Sequence, residues 1–378
     1  MTMGWRTTLR DPGVRRRLRL GGLGVLVVVA LWLPTYFVPY RVFQFTTVLV
    51  YAVAVLGLGL LTGYNGQISL GHGAFYAVGA YTVAILMDAG VPYLLTVPPA
   101  AALTFVLGFA LGVPALRLHG PYLALVTLAV AAVTPPLLKR FSGLTGGSMG
   151  LSVASPAAPA WSGLADDQWL YYLVLTVSFV MFVLARNLVY SRVGRAMVAI
   201  RDAELAARTM GVDPARVKTR TFAWSAMYAG VGGGMSTWVI GFLSPDSFPV
   251  TLSIQFLAAL VVGGLATISG PLFGAMFLVF IPNVSQDISD AAPGLAFGAL
   301  LILAMYVAPG GIAGLLQRSW VRLTTPRGDG GARRVVAATD GTAGRGRPPP
   351  AGSDTTAAVD APTSDRDRQL RQPADPGA

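Results

Sequence analysis

The 378-residue chain has no cysteine, two histidines, two lysines and only 12% charged residues. Each scarcity removes a class of chemistry. Without cysteine there are no disulfides, thiol nucleophiles or thiolate metal sites. The lysines, Lys139 and Lys218, follow Leu138 and Val217. A phosphate-cradling P-loop needs glycine directly before its lysine, so the chain cannot supply its own Walker A motif. His72 and His119 lie far apart, and neither stands in an H-E-x-x-H context, which excludes a zincin. Strand-like alternation of polar and apolar residues is also missing, so a membrane β-barrel is not expected.

Apolar residues are what the chain has in excess. They make up 54% of it, with a mean hydropathy of +0.61, more than one water-soluble core could hide. Apolar runs fall at about 21–38, 42–61, 73–88, 94–116, 121–138, 169–188, 219–242, 252–266, 270–282 and 294–309, at roughly 20 residues per crossing. The fold class expected is therefore all-α: a polytopic membrane protein of about ten transmembrane helices, the third, eighth and ninth short, with broken or re-entrant segments.

The net charge of +11 is concentrated at the N-terminus, in one central loop and in the tail. Flanking apolar spans, these arginines fit positive-inside topology better than nucleic-acid binding. Residues 1–20 read as a basic cytoplasmic N-terminus followed by an uncleaved first helix, since Leu33-Pro34-Thr35-Tyr36 offers no small-residue cleavage site. Residues 21–316 read as the transmembrane domain, with a basic cytoplasmic loop at 189–218, and 317–378 as a disordered cytoplasmic tail. Both termini then lie in the cytoplasm. Asp88, Asp166, Asp167, Asp246, Asp287 and Asp290 collect on the opposite face, where Lys139 and Arg140 violate the rule.

Three clusters stand out. In the first, Tyr64, Asn65, Gln67, Ser69 and His72 are interleaved with Gly63, Gly66, Gly71 and Gly73 between two apolar runs. Hydrocarbon does not solvate a broken backbone, so such a segment must be buried in protein or line a watery cavity. It reads as a solute pathway, with a helix restarting near Ser69 to Gly73 and its free N–H groups available to an anion. Glycine-mediated packing and interhelical hydrogen bonding are the competing account. A weak echo recurs at Gly264-Leu265-Ala266-Thr267-Ile268-Ser269-Gly270, as expected of a transporter built from repeats.

The second cluster is a predicted helix over 195–211. Ala196, Ala199, Ile200, Ala203, Ala207 and Met210 form its apolar stripe, Glu204 and Arg208 can pair, and Gly211 suits the C-terminal cap. Asp213-Pro214 should cap and open the next helix. The stripe fits a partner's groove or, alternatively, anionic lipid headgroups. The third cluster, Leu144-Thr145-Gly146-Gly147-Ser148-Met149-Gly150-Leu151, is a glycine-rich outer loop able to serve as a gate or a docking surface.

Five ordered stretches, G-Y-N-G-Q-I-S-L-G-H-G-A-F (63–75), P-Y-L-A-L-V-T-L-A (121–129), L-T-G-G-S-M-G-L (144–151), S-R-V-G-R-A-M-V-A-I-R-D-A-E-L-A-A-R-T-M-G-V (191–212) and V-V-G-G-L-A-T-I-S-G-P-L-F-G-A (261–275), resemble the branched-chain amino acid ABC transporter permeases of the LivM type. The resemblance covers about residues 40–316. It implies a bacterial inner-membrane permease subunit that is not itself an enzyme and binds no cofactor or metal, with ATP and Mg held by two cytoplasmic ATPase subunits. It further implies a LivH-type permease partner and a periplasmic substrate-binding protein. Leu205-Ala206-Ala207 followed by Gly211 resembles the E-A-A-x-x-x-G coupling motif, with Glu204 one place before the usual acid. Arg195, Arg201, Glu204, Ala206, Ala207, Arg208 and Gly211 would then serve ATPase coupling. The pathway would be lined by Tyr64, Asn65, Gln67, Ser69, His72, Thr267 and Ser269, and opened by Gly63, Gly66, Gly71, Gly73, Gly264 and Gly270. Ala132 and Met149 replace residues that are commonly acidic or polar in the family, so urea, short-chain amides and aromatic acids join branched-chain amino acids as expected solutes. A self-contained secondary transporter or channel using His72 is the alternative reading.

Overall fold

The computed structural model describes residues 30–115, 121–286, 292–307 and 310–315. The basic N-terminus, the first half of the first span, His119, Asp287, Asp290 and the tail lie outside the described residues. After helical residues 30–36 come α1 (Pro39–Leu58), α2 (His72–Asp88), α3 (Tyr93–Ala115), α4 (Pro121–Arg140), α5 (Asp166–Tyr190), α6 (Arg192–Asp202), α7 (Glu204–Thr209), α8 (Pro214–Ile240), α9 (Val250–Gly263), α10 (Gly270–Gln286) and α11 (Ala292–Val307). Five described helical segments are long and apolar enough to cross a membrane: Pro39–Tyr64, Tyr93–Pro114, Tyr122–Arg140, Asp166–Tyr190 and Pro245–Gly263. The segments expected to be short are short, at 17 residues for α2, 14 for α9 and 17 for α10.

The core sits where α1, α2 and α8 meet. The most apolar stretch of α1 is 72% buried, against 22% in α3 and α4, which places α1 inside and the other two at the periphery. The 27-residue α8 carries Thr219, Thr221, Ser225, Ser236 and Thr237 buried along its length, and it is not among the five apolar spans. A helix enclosed by other helices has no lipid to satisfy, so it can carry hydroxyls and glycines that let backbones approach. A β-carbon at Gly79 would collide with the Gly230 carbonyl, and one at Gly233 with the Tyr76 carbonyl, so α2 and α8 pack backbone to backbone. Thr237 Oγ1 donates to the Ala80 carbonyl at 3.0 Å across the same seam.

Caps and charges fix the helix ends. Asp213 Oδ1 accepts from the N–H groups of Ala215 and Arg216 at 3.0 and 3.3 Å, and Pro214 opens α8, as its sequence predicts. Asp166 and Asp167 occupy the first turn of α5, where negative charge suits the helix dipole. Helix α5 runs from these aspartates to Ser191, and α8 runs from the basic loop to Gly241 beside Asp246. Helices of this length separate their ends by about 35–40 Å, so basic and acidic groups occupy opposite ends. At the acidic end, strand β1 (Leu151–Ser152) pairs antiparallel with β2 (Phe242–Leu243) in the register Leu151 to Leu243, joining the glycine-rich outer loop to the end of α8. Lys139, out of place by the positive-inside rule, pairs there with Asp246 at 2.7 Å.

Because the α2–α8 seam has no room for a side chain, Gly233→Leu should lower stability by about 3 kcal/mol or more. Thermal denaturation of the purified protein should show a large loss, whereas Gly143→Ala, where nothing lies within 4 Å, should leave the melting curve in place.

Candidate solute pathway and coupling site

Helix α1 loses its α-helical hydrogen bonding at Leu58 and continues as a π-helical turn, Gly59–Tyr64, ending at Asn65. Residues 65–71 are irregular, and α2 restarts at His72. The break predicted from the glycine and polar pattern is therefore present. Gly66 makes the turn with φ of +73°, a conformation costly for other residues.

Other elements satisfy the freed backbone. Gln67 N–H donates to the Leu61 carbonyl at 3.1 Å, and Thr62 Oγ1 donates to the Gln67 carbonyl at 2.9 Å. Leu70 N–H donates to Thr127 Oγ1 of α4, and Gly73 N–H to Ser253 Oγ of α9, both at 2.9 Å. Gly71 N–H reaches Ser69 Oγ at 3.3 Å. These contacts correct one expectation: the N–H groups of Leu70, Gly71 and Gly73 are held by protein hydroxyls and are not free for an anion. Ser69 closes a local turn onto Gly71, and Gly71 and Gly73 allow close approach to Thr127 and Ser253.

Asn65 and His72 are 2% and 1% exposed, yet Asn65 Oδ1, Asn65 Nδ2, Gln67 Oε1 and His72 Nδ1 have no hydrogen-bond partner. His72 Nε2 lies 3.3 Å from Ser225 Oγ, which also bonds the Gly57 carbonyl at 2.8 Å. Unpaired buried polar atoms cost roughly 1–3 kcal/mol each. Tyr64 is half-buried and packs its ring against the core, so its role is at least partly structural.

The second segment, 264–269, also interrupts two helices, α9 and α10. A β-carbon at Gly63 would collide with the Leu265 carbonyl and lie 3.3 Å from Ala266 N, so the two breaks touch. Thr267 Oγ1 donates to the Gly264 carbonyl at 3.0 Å and accepts from Gly270 N–H at 3.1 Å, which makes it a helix cap. Ser269 is exposed, and Gly264 has φ of +122° with the backbone of Gly311 packed on it. The two halves are not equivalent: α10 packs directly on α9, whereas α8 lies between α1 and α2.

The predicted helix over 195–211 is two helices. Ala203 is extended, with φ of −157° and ψ of 91°, and it separates α6 from α7. The stripe expected to face a partner is split between the two sides. Gly194, Met197 and Ile200 of α6 and Ala207 of α7 face inward, while Ala203 and Met210 are exposed. Gly211 ends α7 with φ of +82°, as predicted for a cap. Glu204 is held inward by Lys218 at 2.7 Å and Arg208 at 3.0 Å. The outward side of α7 carries Leu205, 79% exposed, and Met210, 86% exposed, beside Ala206 and Arg208. Met210 belongs to the stripe expected to face a partner and is exposed accordingly, whereas Leu205 was not among the expected contacts. A leucine standing where the coupling motif carries its acid was the available signal. Arg195 is exposed and donates to the Tyr190 carbonyl at 3.3 Å, and Arg201 points at the break.

The helical architecture, the apolar spans and a broken segment inside the core define an all-α polytopic membrane permease. Residues 40–308 match the family described as branched-chain amino acid transport system / permease component. The high-affinity branched-chain amino acid transport system permease protein LivM of Escherichia coli (strain K12) is 32% identical over 291 residues, covering 71% of this chain and 68% of the relative. LivH of the same organism is 27% identical over 281 residues, covering 70% and 91%. BraD of Pseudomonas aeruginosa is 25% identical over 288 residues, covering 70% and 91%. Solved PsaBC from Streptococcus pneumoniae, in complex with Fab, covers 77% of this chain and 97% of its own at 12% identity and a TM-score of 0.37, a likeness too loose to inform the fold. The chain belongs to the branched-chain amino acid transport system permease family.

The Lys218 hydrogen bond holds the Glu204 carboxyl below its ordinary range, aided by the charges of Lys218 and Arg208 and opposed by partial burial. A depressed carboxylate pKa stabilises fully above the unfolded value, about 4.3, and that stabilisation is lost as pH falls through the folded value. Hydrogen exchange across residues 204–218 should therefore be insensitive to pH-driven opening between pH 6 and 8, after correction for intrinsic exchange. Glu204→Gln should raise it a few-fold at pH 7, in keeping with an ion pair of about 1 kcal/mol or less.

Proposed function

We propose that the chain is one permease subunit of an ATP-driven importer in a bacterial inner membrane, with residues 189–218 and both termini on the cytoplasmic side. It pairs with a LivH-type permease, two cytoplasmic ATPase subunits and a periplasmic substrate-binding protein. The ATPases hold ATP and Mg, and this chain supplies the route. The observation that carries the reading is the meeting of two helix breaks at Gly63 and Leu265, beside the buried, unpartnered atoms of Asn65, Gln67 and His72. Irregular backbone inside a membrane domain marks a solute route in repeat-built transporters.

The solute is a branched-chain amino acid or a related small polar molecule. Since the N–H groups of Leu70, Gly71 and Gly73 are occupied, the side-chain amides of Asn65 and Gln67 are well placed to meet its polar end. They offer both donors and acceptors, as a zwitterion requires. The outer face of α7, with Leu205, Ala206, Arg208 and Met210, docks an ATPase subunit. Leu205 and Met210 would fill an apolar groove while Arg208 stays at the rim.

In proteoliposomes containing the five-component complex, leucine uptake should require ATP and the binding protein and should survive collapse of the proton gradient. Asn65→Ala should lower uptake about tenfold, the effect of losing one good hydrogen bond. Uptake by this chain without ATPase subunits, driven by an ion gradient, would instead establish a secondary transporter.

A further inference from the structure

Arg201 is the next-to-last residue of α6, and its side chain reaches out of the loop into the membrane domain. Its Nη1 donates to the Gly63 carbonyl at 2.7 Å, at the end of the π-helical turn. Carbonyls at a helix end lack intrahelical partners, and a guanidinium supplies a charge-assisted donor to one of them. The Arg201 Nε and Nη2 atoms both lie 2.9 Å from Asp202 Oδ1, which sets the orientation of the fork. The side chain is 32% exposed. Its stem crosses Gly66 so closely that a β-carbon there would lie 2.9 Å from Arg201 Cγ.

The helix behind this side chain is firmly seated. Met197 and Ile200 are 0% and 4% exposed, and the N-terminus of α6 is capped by Ser191 Oγ. On the far side, Gly63 abuts the backbone of Leu265 and Ala266. One side chain of α6 thus reaches the first break, and Gly63 joins that break to the second.

We propose that Arg201 is a positioning residue that ties α6 to the broken segment, through its bond to the Gly63 carbonyl and its stem across Gly66, so that movement of the ATPase-facing loop shifts both helix breaks. This rests on the reading of α6 and α7 as the ATPase-docking element. It also moves Arg201 from the ATPase contact to the internal side of that element, because its fork is already engaged by Gly63 and Asp202. Lysine could reach the carbonyl as a single donor but lacks the planar fork that Asp202 orients.

The test uses the reconstituted five-component complex with radiolabelled leucine, measuring uptake and ATP hydrolysis together. Arg201→Ala should co-purify with ATPase subunits at wild-type stoichiometry, while leucine moved per ATP hydrolysed falls by at least about tenfold. Arg201→Lys should recover part of that ratio. Wild-type coupling in Arg201→Ala would overturn the tie, as would loss of ATPase subunits from that variant. Failure of the wild-type complex to use ATP for uptake would overturn the functional reading itself.

Discussion

A peptide group that leaves an α-helix inside hydrocarbon has no water to bond, and leaving it unpaired costs several kcal/mol. Between Leu58 and His72 the chain breaks its helix regardless, and the partners that make this tolerable come from distant parts of the sequence. Thr127, Arg201, Ser225 and Ser253 each bond a backbone group of this stretch or its flanks. The break is thus a junction on which α1, α4, α6, α8 and α9 converge. Its position is set by hydroxyl and guanidinium groups that can be exchanged for others at small net cost, since a hydrogen bond traded for another hydrogen bond changes little.

The same segment holds side-chain atoms left without partners. Backbone satisfied while Asn65, Gln67 and His72 stay partly unpaired is an arrangement that packing alone would not favour, because replacing these side chains by apolar ones would remove the penalty. Around it, α2 and α8 close against each other through glycines, giving the junction one rigid wall, while α9, α10 and the 264–269 break supply a separate one.

Much of this was legible in the sequence, for reasons that differ by element. Apolar length alone located the described apolar helices, the short ones included, and five described segments are long and apolar enough to cross a membrane. The Asp213 and Gly211 caps could be read because capping is chemistry between near neighbours. The helix break showed through its glycines. Long-range partners did not. Ser253 binds Gly73 across 180 positions, and Lys139 finds Asp246 across 107; no local pattern encodes either. Ala203 is a good helix former by propensity, and its extended backbone comes from tertiary placement, with α6 seated by Met197 and Ile200 and α7 pinned through Glu204 to Lys218. Helix α8 was predicted as one span among others, although its hydroxyls and glycines mark it as the enclosed centre.

The central claim is that the segment around Asn65 is a solute route that opens during turnover. Because the chain has no cysteine, a single Asn65→Cys substitution gives this chain one thiol, placed in that segment. The measurement is its labelling by a membrane-impermeant thiol reagent in the assembled transporter, at rest and while ATP and solute are being consumed. The account predicts protection at rest, where Asn65 is 2% exposed, and rapid modification during turnover. Equal protection in both states would contradict it and leave the break as a purely structural joint.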